Sequence, residues 1–340
     1  MHDTTLLLVG HGSRQPAGNA EIERFAALWR ERHPDWRIDV CFIEYADVLL
    51  DAGLDRAAQS SNGSGSIRRV IVIPFILNAA GHVKMEMPAA IAAARARHPE
   101  VRFDCLRHLG MGPEVLAILE DQRTTLLHSL DMPDPRSTGV ILLGRGSSDA
   151  GANGELAKMA RWIFEAADHD LVDIAFTGVA WPRLETVVQR QVRLGMTQIL
   201  VIPVYLFTGV LIERIAAQLA RLRRQYPQIA FAASEHFGFD PRIAALLDAR
   251  LAAHLAADLE HGDAASSLLE CDGCKYRQAA EEDHLHDHSH TGAHAHGAGH
   301  AAHGHADMHA ETHANAHADH QHAGHAHHHH PHTTTPHRHA

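Results

Sequence analysis

Cysteine is scarce, with four in 340 residues: Cys41, Cys105, Cys271 and Cys274. Two stand alone and two form a C-x-x-C. That is no disulfide framework, and it points to a reducing cytoplasm. An excess of basic charge is also lacking. Lys and Arg number 30 against 41 Asp and Glu, a formal net charge of −11 with histidine neutral. Nucleic acid and anionic membrane surfaces are held by clustered cations, so neither is expected as a partner. No apolar run approaches the ~20 residues that span a bilayer. The first, Leu6-Leu7-Leu8-Val9, has no basic segment before it and no cleavage pattern after it, so it does not read as a secretory signal.

What the chain does have is a sharp internal boundary. Overall it is 45% hydrophobic, enough for a real core. Up to about Glu260, apolar runs alternate with amphipathic stretches; from His284 to Ala340 there is His, Ala, Gly and Asp with little else. This tail cannot bury enough apolar surface to offset an ordering entropy of roughly 1–2 kcal/mol per residue, so it is expected to be disordered. About two-thirds of the 33 histidines fall in it. Their irregular spacing, and the chain that continues past His327–His330, argue against an engineered tag. An irregular imidazole tract binds Co, Ni, Zn or Cu weakly in many arrangements and raises the metal concentration near whatever it is tethered to.

Before the tail, strand and helix signals alternate twice. Strands are expected at 4–9, 38–43, 70–74 and 101–105, with helices at 19–32, 83–97 and 113–129 and a Ser/Gly loop at 60–66. The series then restarts: strands at 139–143, 172–177, 198–203 and 229–233, and helices at 153–167, 182–194, 211–226 and 241–259. The turns Gly10-His11-Gly12-Ser13 and Gly144-Arg145-Gly146-Ser147 lie 134 positions apart, and the strands ending in Pro74 and Pro203 lie 129 apart. Matching turns in two β-α series indicate a duplicated α/β body of parallel sheets flanked by helices. The expected division is 1–133 and 137–260 for the two halves, 261–283 for the C-x-x-C segment and 284–340 for the tail, with Met132–Arg136 as linker.

In parallel α/β sheets, ligands sit beyond the carboxyl ends of the strands. There the first strand ends at His11, the second at Glu44, and the third leads to His82. Two imidazoles and a carboxylate make a divalent-metal site or an acid/base site. The repeat acts as a control: Arg145 stands opposite His11, Gly178 opposite Glu44, and the stretch Val204–Leu211 directly after Pro203 contains no histidine. A single histidine at a strand end is usually ordinary, but three reactive groups lost together from a retained scaffold point to one site in one half. His33, His98 and His254 read as structural. The Gly10–Ser13 turn lacks the Lys of a Walker loop and the third Gly of a dinucleotide turn, so no nucleotide is expected.

Leu-Val-Gly-His-Gly-Ser-Arg at 8–14, Phe-Ile-Glu-Tyr-Ala at 42–46 and Ala-Gly-His-Val-Lys at 80–84 resemble the sirohydrochlorin chelatases. The resemblance runs along essentially the whole chain and is nearest to the long cobaltochelatase branch, which has two lobes, a C-x-x-C and a histidine-rich end. The Glu86-Met87-Pro88 run departs mildly from the family's usual third motif. The resemblance implies two tandem chelatase-like domains and ATP-independent insertion of a divalent metal, Co²⁺ above Fe²⁺ or Ni²⁺, into the tetrapyrrole sirohydrochlorin in cobalamin synthesis. It implies that His11 and His82 bind the metal and that Glu44 assists proton removal. A carboxylate-fringed disc calls for cations, for which Arg14, Lys84 and Arg145 are the candidates, with Asn78, Ser13 and Ser147 as further hydrogen-bonding groups. The thiolates of Cys271 and Cys274 supply half of a four-ligand zinc or iron–sulfur site, which a homodimer or the tail would complete; a redox or metal-transfer dithiol and no special role stand beside that reading. A metal storage or delivery protein is the alternative of another class.

Overall fold

The computed structural model describes residues 3–59, 67–78 and 80–261, with backbone alone at 82, 83 and 258–261. The expected 60–66 loop, Cys271, Cys274 and the histidine-rich tail lie outside the described residues.

Two four-stranded parallel sheets form the body. The first contains β1 (Thr4–Gly10), β2 (Arg37–Phe42), β3 (Arg69–Pro74) and β4 (Arg102–Cys105) in the order β2-β1-β3-β4. The second contains β5 (Thr138–Gly144), β6 (Val172–Phe176), β7 (Gln198–Pro203) and β8 (Ala230–Ala233) in the equivalent order β6-β5-β7-β8. β1 and β5 are fully buried along their length. That burial explains their continuous apolar runs, because a parallel sheet is covered on both faces.

The helices are α1 (Pro16–Arg32), α2 (Leu50–Ala58), α3 (Met87–Arg97), α4 (Pro113–His128), α5 (Ala150–Ala166), α6 (Leu184–Arg193), α7 (Val210–Gln225) and α8 (Pro241–His261). The pleat decides which core each strand residue joins. Leu6, Leu8, Val140 and Leu142 point into a shared central core with Phe25, Trp29, Ile118, Met159 and Leu247 from α1, α4, α5 and α8. Leu7 and Val9 turn the other way, onto Leu54 and Ile91 of α2 and α3. Ile141 and Leu143 likewise meet Val187 and Leu219 of α6 and α7. The two halves therefore share one core and keep one outer layer each.

Four elements differ from expectation; one is α5, which begins at Ala150 and not residue 153. α2 lies between β2 and β3, where no helix was read; its nine residues contain Gly53, and its amphipathic signal is short. α1 begins at Pro16, not residue 19, with proline in the first turn, where its missing N–H costs nothing. The single helix expected at 83–97 is a π-helical turn, His82–Glu86, followed by α3. Pro88 has no N–H to give the carbonyl of Lys84, so a regular helix cannot run through that point. Among the described residues, no helix is long and apolar enough to cross a membrane.

Candidate metal and acid–base site

The carboxyl end of β1 turns sharply, and the glycines of the turn explain how. Gly12 has φ +94°, and a Cβ there would sit 1.6 Å from the carbonyl oxygen of Glu44. Gly146 repeats this at φ +84°, with a Cβ 2.5 Å from the carbonyl oxygen of Gly178. Only glycine permits the approach. The β1 and β2 turns are then tied by Ile43 N–H to Gly10 O at 3.0 Å and Glu44 N–H to His11 O at 3.1 Å. In the second half, Thr177 N–H meets Gly144 O at 2.9 Å and Gly178 N–H meets Arg145 O at 3.0 Å. The bonds pair Glu44 with Gly178 and His11 with Arg145, as the sequence alignment has them.

Those backbone ties bring two of the expected reactive groups together. His11 Nδ1 lies 3.4 Å from Glu44 Oε1, with both side chains 29% exposed. Nδ1 also lies 3.3 Å from the carbonyl oxygen of Gly12. On its other edge, His11 Nε2 meets Arg145 Nη1 at 3.2 Å. A guanidinium only donates, so Nε2 accepts, and Nδ1 carries the proton toward Glu44. His82 opens the π-helical turn after β3; its side chain lies outside the described residues. Among the described residues, no three His, Cys, Asp or Glu side chains gather closely enough to hold a metal.

The remaining candidates have identifiable partners. Arg14 donates to the Tyr45 hydroxyl at 2.9 Å and lies 4.7 Å over its ring. That hydrogen bond raises the Arg14 pKa above its ordinary value. Lys84 pairs with Asp149 of the second half, and this holds the Asp149 carboxyl below the usual range. Ser13 Oγ accepts from Gln15 N–H at 3.1 Å, and Ser147 Oγ from Asp149 N–H at 3.0 Å. Both serines thus shape their own turns. Asn78 Oδ1 is buried without a hydrogen-bond partner among the described residues. A lone buried acceptor of this kind carries a desolvation cost until a donor reaches it.

The second half reaches the same seam. Thr208 N–H donates to Glu21 Oε2 at 2.7 Å, and Gln15 Nε2 to Glu213 Oε1 at 2.6 Å. Tyr205, after β7, bonds Thr177 Oγ1 at 2.7 Å, and burial pushes its hydroxyl pKa up to about 12, against the opposing effects of that bond, Arg145 and Arg214. Trp181 is 70% exposed, with the Arg183 guanidinium 4.7 Å over its ring. Sequence reasoning did not single out this pair, although a tryptophan at a strand-end loop was a usable signal. The histidines read as structural are so placed: His33 meets Asp248 at 2.9 Å, His98 meets Asp55 at 2.9 Å and His254 meets Asp104 at 3.5 Å.

The family profile described as CbiX matches residues 5–126 and 139–254, once in each half. A sirohydrochlorin cobaltochelatase of Priestia megaterium is 33% identical over 282 residues, covering 82% of this chain and 87% of the relative. A sirohydrochlorin ferrochelatase of the same organism is 24% identical over 242 residues, covering 71% and 87%. Among solved structures, SirB from Bacillus subtilis with Fe³⁺ aligns with a TM-score of 0.60 at 24% identity, covering 76% of this chain and 97% of that one. At that identity, the likeness is one of fold.

Proposed function

The chain belongs to the CbiX family, and from that premise we propose that it is a sirohydrochlorin cobaltochelatase, inserting Co²⁺ into sirohydrochlorin without ATP. The observation that carries the reading is the His11–Glu44 pair at 3.4 Å, built at the carboxyl ends of β1 and β2 and replaced by Arg145 and Gly178 in the other half. The first half is the active one, and the second is a degenerate repeat.

In this reading the metal is a substrate. The His11 imidazole offers Nε2, the nitrogen whose proton sits on the opposite edge, and Glu44 holds that tautomer through Nδ1. His82, on the turn after β3, is the second ligand. Imidazoles suit Co²⁺, Fe²⁺ and Ni²⁺, and an open set of ligands releases the ion again. Each insertion frees two pyrrole N–H protons. Glu44 receives one on Oε2, which has no hydrogen-bond partner among the described residues, while Oε1 faces His11, and the other passes to solvent water. Arg14 is a cation at the same rim for the carboxylates of the macrocycle. The histidine-rich tail concentrates metal for the insertion.

The experiment mixes full-length protein with sirohydrochlorin and Co²⁺, Fe²⁺ or Ni²⁺ separately and follows the absorbance change against protein-free controls. Co²⁺ is expected to show the greatest acceleration. The similarity to a ferrochelatase makes iron the competing reading, and faster Fe²⁺ insertion would select it. No acceleration with any ion would leave a storage or delivery protein in its place.

A further inference from the structure

We propose that Arg145 holds the metal's place on His11 and must swing away before an ion binds there, so that the degenerate half gates metal loading of the active one. The inference rests on the reading of His11 as a metal ligand and adds a role for the residue that replaced its counterpart.

The geometry is specific. Arg145 Nη1 lies 3.2 Å from His11 Nε2. A guanidinium has no acceptor, so the contact uses the Nε2 lone pair, the same electron pair a divalent ion takes. A metal and Arg145 therefore compete for one site, and the repulsion between the two cations adds to the competition. The backbone of Arg145 is fixed independently of its side chain, by Gly178 N–H to Arg145 O at 3.0 Å and by the close-fitting Gly146 beside it. The side chain is exposed, and no carboxylate pairs with it among the described residues. It is thus free to leave His11 for an anionic group. The carboxylates fringing the macrocycle are such groups. One of them, on arriving, would draw Arg145 off and uncover Nε2, so metal capture at His11 becomes coupled to the presence of the ring. Arg145 acts here as a positioning residue; the reacting nitrogens are met by other groups.

The histidine-rich tail would swamp any bulk measure of metal binding, so the test is resolved by residue. Full-length protein is treated with diethyl pyrocarbonate at free Co²⁺ concentrations held by a metal buffer, and modification of His11 is read by peptide mass spectrometry. The parent is compared with Arg145→Ala, and with Lys158→Ala as a control for losing a cation elsewhere. Without metal, His11 should be modified faster in Arg145→Ala than in the parent. The free Co²⁺ that half-protects His11 should fall about three- to tenfold in Arg145→Ala, the effect of an exposed like-charge contact. It should stay at the parent value in Lys158→Ala. Equal half-protection in parent and Arg145→Ala, or weaker protection in the variant, would overturn the gate while leaving the site intact. No protection of His11 by Co²⁺ in either protein would overturn the site reading and the gate with it.

Discussion

The two halves of this chain use the same turn for different ends. In each, a G-x-G-S turn leaves the central strand, and a serine hydroxyl accepts from the backbone two residues on. In each, an asparagine six residues past that serine accepts from its N–H, at 2.8 Å in the first half and 2.9 Å in the second. In each, a non-glycine residue stands at positive φ, Tyr45 at 53° and Val179 at 51°. What changes is the side chain exposed by the turn and its neighbour: His11 with Glu44 in one half, Arg145 with Gly178 in the other. The shared features belong to the fold, and in the proposed reading the differing ones carry the chemistry. Ser13 falls among the shared features, since its hydroxyl makes the same turn hydrogen bond as Ser147 in the other half.

The comparison can be broken most severely at its reactive end. His11→Ala should lower cobalt insertion by at least about a hundredfold, the scale of losing an essential acid–base or ligand group, with an unchanged circular dichroism spectrum. Glu44→Gln keeps the shape and a hydrogen bond to His11 but removes the base; kcat should fall about a hundredfold while metal-free sirohydrochlorin binding, followed by tryptophan fluorescence, holds. Retained kcat in that variant would assign proton removal elsewhere.

A smaller effect is expected where the halves are joined. Asp104 is fully buried on β4, with Arg69 at 2.6 Å, Arg102 at 3.0 Å and His254 of α8 at 3.5 Å. Burial alone would raise its pKa. Hydrogen bonds from His254 and Arg102 and the charges of Arg69 and Arg102 outweigh this and hold the carboxyl below its usual range. A depressed value means the stabilisation is present above the unfolded carboxyl value, near 3.9, and is lost as pH falls through the lower folded one. Asp104→Asn should cost about 3 kcal/mol at pH 7 in denaturant unfolding and should flatten the stability loss below about pH 4. The smallest effect is expected for removing the residues after Ala280: turnover at saturating free metal should stay within about twofold of the parent, whereas at scarce metal it should fall, since a tether acts only through local concentration.

Much of this architecture was legible because the physics is local. Buried parallel strands write themselves as runs such as Val70-Ile71-Val72-Ile73, and the 134-residue offset of the turns exposed the duplication. The pairing of Glu44 with Gly178 was also readable, since backbone register follows from aligned strands. α2 was not, because Leu50–Ala58 is short and holds a glycine, although its partner α6 declared itself through a stronger apolar face. The π-helical turn at His82–Glu86 depends on how Pro88 disrupts one turn, which periodicity averages away. Least legible were the contacts between halves. Arg145 on His11 and Asp149 on Lys84 join residues 134 and 65 positions apart, and sequence spacing says nothing of such partners. Arg145 and Lys84 were read only as cations awaiting a substrate.

The central claim is that one half alone performs the chemistry, and the most direct measurement is paired. Sirohydrochlorin and Co²⁺ are mixed with parent, His82→Ala and Arg145→Ala proteins at equal free metal, and the initial rate of the absorbance change is followed. Conversion is expected with the parent and with Arg145→Ala, and none above the protein-free rate with His82→Ala. Parent-like conversion by His82→Ala would contradict the account.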